Sequence, residues 1–266
     1  MSDGTTAVTA TAMTQAELWS ERAHDWAELV ESEREPWLKS IYEEVLERLA
    51  VGRSTALLDV GCGAGRFAAM AFARGASVSG IDITPAFVAT ARGHTPEGDF
   101  RLGDMQSLPW ADDLFDVVTG FNSFFYAEDP AQALREAYRV ARPGARLAMT
   151  AFGRPEHGDF APLFALLAEA LPALAVEEDE GPPLEELLTD AGFTVELAEY
   201  RRNTESYPDM ETLVRGYLAV GPLRQAVRVI GEETAAAFIR TAFSSLVRPV
   251  GSVSLTDEYR LLVARA

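Results

Sequence analysis

The stretch Leu57-Leu58-Asp59-Val60-Gly61-Cys62-Gly63-Ala64-Gly65-Arg66 places three glycines directly behind a short apolar run. Ala56–Val60 is apolar apart from Asp59, which marks a strand buried on both faces. The glycines let the backbone turn sharply and come close to a ligand, and Arg66–Arg74 reads as the helix that follows, stopped by Gly75. A helix beginning there presents unpaired N–H groups to an anionic or polar ligand atom.

The next strand, Ser77–Ile81, is followed by Asp82. It lies about 20 residues beyond the turn, where a carboxylate accepts hydrogen bonds from ribose hydroxyls. A dinucleotide fingerprint would want a third glycine at position 66, which is Arg66 here. Asp59, just before the turn, would repel a pyrophosphate and welcome the ammonium of a methionine moiety. These residues favour S-adenosylmethionine over NAD.

Outward from the turn, the pattern alternates. Pro85–Arg92 reads as helix, Asp99–Leu102 as strand, Phe115–Phe121 as strand, Pro130–Ala141 as helix and Arg146–Phe152 as strand. Strands alternating with helices imply parallel strands joined by right-handed crossovers. Upstream, Gln15–Val30 and Pro36–Ala50 carry helical spacing, with Pro36 at a first helical position and Gly52 as the stop of the second helix. The first dozen residues are polar and read as a disordered tail. Downstream, Phe160–Leu171 and Pro183–Ala191 are predicted helices around an acidic loop, Val176–Pro183. Phe193–Arg201 and Ser252–Arg265 are the last two predicted strands, separated by a helical insert over 208–250. The expectation is an α/β fold in one domain over 13–266, with a core over 55–152. It is a Rossmann-like, doubly wound, mostly parallel seven-stranded sheet with N-terminal helices and a helical insert before the last strand.

Over about Thr55–Phe152 the wording resembles the class I S-adenosylmethionine-dependent methyltransferase superfamily. LLDVGCGAGRFA resembles its first motif and GIDIT its acidic second-strand motif. DMQSLPWADDLFDVV is similar to the segment from the adenine-contacting loop into the fourth strand, and REAYRVARPGARLAM to the helix, turn and fifth strand after it. The wording is closest to the small-molecule group typified by ubiquinone and menaquinone C-methylation. The resemblance implies S-adenosylmethionine as methyl donor and S-adenosylhomocysteine as product. It implies Asp59 near the methionine amine, the backbone of Gly61 and Gly63 beneath methionine and ribose, and Asp82 on the ribose. Ile83 would pack on the adenine, Asp104 accept its amino group, Met105 offer its N–H to a ring nitrogen, and Phe121 lie beside the methionine chain. Many relatives carry a histidine pair where this chain has Phe125 and Tyr126, which puts a histidine base in doubt.

The acceptor site is expected at the carboxyl ends of the strands, around Asn122–Tyr126. Tyr126, His157 and His24 are the candidates for proton handling. No residue cluster has metal-ligand spacing. The net charge of −18 disfavours nucleic acid as a partner. The single cysteine, Cys62, excludes an intrachain disulfide, and no apolar run reaches a membrane span, so a cytoplasmic enzyme is expected. The expected activity is methyl transfer to a small apolar or neutral metabolite. The alternatives are a same-fold enzyme using the donor as scaffold for cyclisation or rearrangement, and a non-catalytic binding module. The acceptor, the atom methylated and the oligomeric state are not readable from the residues.

Overall fold

The computed structural model describes residues 10–32, 37–172 and 182–266. β1 (Ala56–Val60) turns into α4 (Arg66–Ala73), then β2 (Ser77–Asp82), α5 (Pro85–His94), β3 (Asp99–Leu102), β4 (Phe115–Phe121), α6 (Pro130–Val140) and β5 (Ala141–Phe152) follow. Ahead of this core lie α1 (Ala10–Ser20), α2 (Ala23–Asp25) with a π turn Trp26–Val30, and α3 (Lys39–Arg48). Behind it come α7 (Ala161–Ala170), α8 (Leu184–Asp190) and β6 (Thr194–Tyr207). Then α9 (Met210–Tyr217), α10 (Gly221–Ile230), α11 (Glu232–Phe243) and β7 (Val253–Arg265) complete the chain.

The seven strands lie in the order β3-β2-β1-β4-β5-β7-β6. β1 to β5 are parallel, while β7 runs antiparallel to both β5 and β6. The expected mostly parallel seven-stranded sheet is what forms. Its alternation splits the core. Leu57, Val117, Ala148 and Leu261 face α3, α4 and α5, whereas Leu58, Val118, Leu147 and Leu262 face α6 and α8. A third cluster packs α7, α9 and α11 against the far ends of β6 and β7 through Tyr207, Val253 and Leu255.

Several boundaries differ from expectation. The helix expected over 15–30 breaks at Glu21-Arg22 and restarts into the π turn, closed by the Glu31 N–H on the Trp26 carbonyl at 2.9 Å. α1 begins at Ala10, inside the stretch read as a tail, of which residues 1–9 lie outside the described residues. Pro36 also lies outside them, and the second helix ends at Arg48, short of Gly52. The acidic loop falls largely outside as well, since residues 173–181 are not described. β6 runs on to Tyr207 because its polar outer half pairs residue by residue with β7, from Arg202↔Glu258 to Tyr207↔Val253.

Gly65 shows how tightly turn and core are joined. It has φ +81°, and a Cβ there would stand 2.7 Å from the Ala91 Cβ on α5. A Gly65→Ala substitution combines a left-handed backbone with overpacking against a rigid helix, so about 2–4 kcal/mol of stability should be lost. Thermal denaturation measures this. A melting temperature equal to that of the unsubstituted protein would show that α5 yields more than the packing implies.

Candidate active site

The glycine turn is assembled by backbone hydrogen bonds from both Gly61 N and Cys62 N to the Ile81 carbonyl, at 2.8 and 3.0 Å. These tie the end of β1 to the end of β2. Gly61 has φ +69°, and a Cβ on it would stand 2.4 Å from the Ser123 Cβ. Ser123 Oγ in turn donates to the Val60 carbonyl at 2.7 Å, so the loop after β4 is seated on the turn. The Met105 Cε lies 3.7 Å from the same Cβ position.

Three carboxylates converge here. Asp82 accepts from Gly63 N at 2.9 Å through one oxygen and from Thr84 N at 2.8 Å through the other. A carboxylate has about four lone-pair positions, so each oxygen keeps one free for a hydroxyl donor. Asp59, 3 % exposed, accepts from Thr119 Oγ1 at 2.7 Å. The third is Glu31, which follows the π turn, is 7 % exposed, and accepts from Ala64 N at 2.8 Å. Its other oxygen fills the space over Gly63. Burial pushes Glu31 up to about 8, with Asp82 and Asp59 adding repulsion, and pushes Asp59 up to about 7. Burial raises Asp82 too. The arrangement suits a ligand with neighbouring hydroxyls and a cationic end, which S-adenosylmethionine has.

The other expected donor-site residues sit nearby, in different settings. Asp104 is buried and accepts from Gln106 N at 2.9 Å, with the Gln106 amide on both its oxygens. Ile83 is partly buried at the start of the loop after β2. Phe121 is packed in the core, its ring 4.5 Å from Phe67 and 4.6 Å from Tyr42. Of the proton-handling candidates, His24 is 88 % exposed, with Glu28 3.8 Å away. His157 Nδ1 lies 3.2 Å from Glu258, which also pairs with Arg154. Tyr126 is half-buried, and burial raises its hydroxyl well above the ordinary range.

Tyr126 belongs to a closed circuit of aromatic rings. Trp19, Trp26, Trp37, Tyr259, Phe152, Phe125 and Tyr126 follow one another at centroid separations of 4.8, 5.6, 5.7, 6.0, 5.7, 4.6 and, back to Trp19, 6.0 Å. The N-terminal segment supplies three of these rings and is itself clamped to the insert. Glu21 pairs with Arg224 at 2.6 Å, Asp25 with Arg215 at 2.7 Å, and Trp19 lies against Gly221. Beneath the insert, Glu205 accepts from Tyr207 and Tyr217 at 2.9 and 2.5 Å. Asp257, buried beside them, is pushed up to about 7 by burial.

Sequence reasoning named the glycine turn, Asp59, Asp82 and the aromatic loop that begins at Asn122, and it missed Glu31 and the Glu205–Asp257 group. Glu31 gives no local signal, because its partner is the Ala64 N–H far along the chain. Among the described residues no group of three His, Cys, Asp or Glu is placed to hold a metal, and no helix is long and apolar enough to cross a membrane.

Residues 58–149 match the family model described as a methyltransferase domain. The methyltransferase GfsG of Streptomyces halstedii is 40% identical over 114 residues, covering 40% of this chain and 41% of that protein. A demethylmenaquinone methyltransferase of Renibacterium salmoninarum is 31% identical over 166 residues, 62% of this chain and 65% of the relative. The chain thus spans less than two thirds of these relatives' length. Among solved structures, the [4+2]-cyclase SpnF superposes with a TM-score of 0.59 at 24% identity, over 97% of this chain and 96% of SpnF, a likeness of fold.

The buried carboxylates set a pH dependence. In the unfolded chain Glu31 titrates near 4.5, while in the folded protein it holds its proton up to about 8. Asp59 and Asp257 behave alike, with folded values of about 7. The unfolded state therefore loses protons first as pH rises, and the stability tied to these groups, present below about pH 4.5, is gone once pH passes 7–8. The melting temperature should fall between about pH 6 and about pH 8.5. Glu31→Gln should flatten this slope and, at the upper pH, gain at least ~1 kcal/mol, or about 2–4 °C. A wild-type protein that melts higher at about pH 8.5 than at about pH 6 rules out this assignment.

Proposed function

Residues 58–149 match a methyltransferase domain, and we propose that the chain is a class I S-adenosylmethionine-dependent methyltransferase that binds S-adenosylmethionine at the glycine turn and transfers its methyl group to a small, largely apolar acceptor. The observation that carries this reading is the Asp82 carboxylate. It is held by two backbone N–H groups beside the turn and keeps lone pairs for a ribose. Asp59 faces the methionine amine, the Gly61 and Gly63 backbone underlies methionine and ribose, and Phe121 lies at the methionine chain. Ile83 packs on the adenine, Asp104 accepts the adenine amino group, and the Met105 N–H meets a ring nitrogen. The names of the relatives, a demethylmenaquinone methyltransferase among them, support methyl transfer to a small molecule.

When bound, the donor's sulfonium supplies an already activated methyl group. The protein's task is alignment and exclusion of water, and positioning alone can lower a barrier by ~7–11 kcal/mol. The aromatic circuit serves that task by walling the carboxyl edge of the sheet on the side of β4, β5 and β7. Tyr126, inside that wall, keeps its proton and acts as a hydrogen-bond donor to the acceptor rather than as a base. His24 and His157 stand further from this role, one in solvent and one engaged with Glu258. The acidic surface, of net charge −18, turns away nucleic acid.

Asp82→Ala should weaken S-adenosylhomocysteine binding about 10- to 150-fold, as expected for lost hydrogen bonds to a charged group. Calorimetry measures it, and unchanged affinity removes Asp82 from the donor site. Labelled donor offered with fractionated metabolites, RNA and protein extracts should label only the small-molecule fraction. Label confined to macromolecules contradicts the reading, and turnover without release of S-adenosylhomocysteine points to the scaffold role instead.

A further inference from the structure

Asn122 stands at the carboxyl end of β4 with φ +48°, a left-handed conformation that asparagine and glycine tolerate best. It is 6 % exposed. In the structure its amide turns Oδ1 towards Thr150. The backbone N donates to Thr150 Oγ1 at 3.0 Å, and Thr150 Oγ1 donates back to Asn122 Oδ1 at 3.0 Å. The carbonyl end of the amide is thereby spoken for, and the Nδ2 end is buried with no hydrogen-bond partner among the protein's atoms. Buried amide donors in folded proteins nearly always have a partner, because leaving one unpaired forfeits its solvation. A donor held by its other end in a fixed direction is ready for a ligand atom.

The position of the amide says which ligand. The donor-site carboxylates belong to the β1–β2 side of the sheet, where Asp82 meets Gly63. The Asn122 amide is instead tied to β5, at the residue paired with Phe121. Thr150 leads along β5 to Phe152, and Asn122 leads along its loop to Phe125, and these two rings are neighbours in the aromatic circuit. The amide is thus tied to β5, in the loop that also carries Phe125 of the aromatic circuit.

We propose that Asn122 is an acceptor-binding residue whose Nδ2 donates to a carbonyl or oxyanion oxygen of the methyl acceptor, carried on an apolar, unsaturated framework that lies against the aromatic wall. The assignment rests on the methyl-transfer reading above. An amide N–H needs a lone pair to donate to and offers nothing to an ammonium group, so it favours a carbonyl or oxyanion oxygen over a protonated amine. The acceptor's framework meets Phe125 and Phe152, and the oxygen fixes which atom is turned towards the donor.

The test uses two probes of matched shape, 2-acetylnaphthalene and 2-ethylnaphthalene, titrated by fluorescence into the full chain saturated with S-adenosylhomocysteine. The unsubstituted protein should bind the acetyl probe about 10-fold more tightly than the ethyl probe, the size expected when a buried donor is paired rather than left alone. Asn122→Gly removes the amide while keeping the left-handed backbone open, and Asn122→Asp keeps the shape while removing the donor. Both should bring the ratio to within about twofold, with Asn122→Gly retaining its affinity for S-adenosylhomocysteine. A ratio unchanged in both variants overturns the assignment. So does a loss of S-adenosylhomocysteine affinity in Asn122→Gly, which would place the amide on the donor, and so does the absence of saturable binding of either probe. Failure of the unsubstituted protein to bind S-adenosylhomocysteine at all would instead strike the methyl-transfer reading.

Discussion

Glu31 and Asp59, both buried, and the half-buried Asp82 surround one backbone turn, and their mutual repulsion is held in check by hydrogen-bond donors that the fold supplies. Gly63 N serves Asp82, Ala64 N serves Glu31, and Thr119 Oγ1 serves Asp59. Each of those donors depends on something larger. Gly63 and Ala64 are in place because Gly61 N and Cys62 N both lie on the Ile81 carbonyl, and Thr119 because β4 pairs with β1 in register. Uncompensated negative charge in a low-dielectric interior is costly unless the groups stay protonated or a positive ligand arrives. The turn would therefore favour a cationic ligand, under the proposed reading, once these carboxyl groups ionise.

The same constraint explains why the N-terminal segment matters. Glu31 is delivered to the turn by the π turn Trp26–Val30, a local widening of the helix that recurs at functional sites. Trp26 and Trp37, on either side of Glu31, contribute two of the rings in the aromatic wall. Ion pairs from Glu21 and Asp25 then fix this segment to α9 and α10. Partly buried ion pairs between separate elements add orientation more than net stability. The glycine turn, the aromatic circuit and the insert are joined through one short stretch of chain.

Much of this was legible in the sequence, for physical reasons. The strand before the glycines is buried on both faces, so it had to be a short apolar run, and Leu57–Val60 reads as one. The glycine spacing and Asp82 are local features of a single crossover, which a linear reading captures. Elements that depend on distant partners were not legible. β6 continues beyond Arg201 through Arg202, Asn203, Thr204 and Glu205, a polar series with no strand pattern of its own, because β7 pairs with each of them. The break at Glu21-Arg22 lies inside a continuous helical pattern, and beyond it Trp26 packs against Ala64 and Phe87 while Glu31 accepts from Ala64 N. Asn122 was legible only as the first residue of the loop after β4, and its contact with the Thr150 hydroxyl on a neighbouring strand was not.

Hydrogen–deuterium exchange with and without S-adenosylhomocysteine tests most directly whether the turn and the N-terminal segment form one site. Amides lose protection when their element opens locally, so coupled elements gain protection together. Ligand should slow exchange over Gly61–Arg66 and, in the same titration, over Trp19–Glu31. Protection confined to Gly61–Asp104, with Trp19–Glu31 exchanging as freely as before, would contradict the joint site.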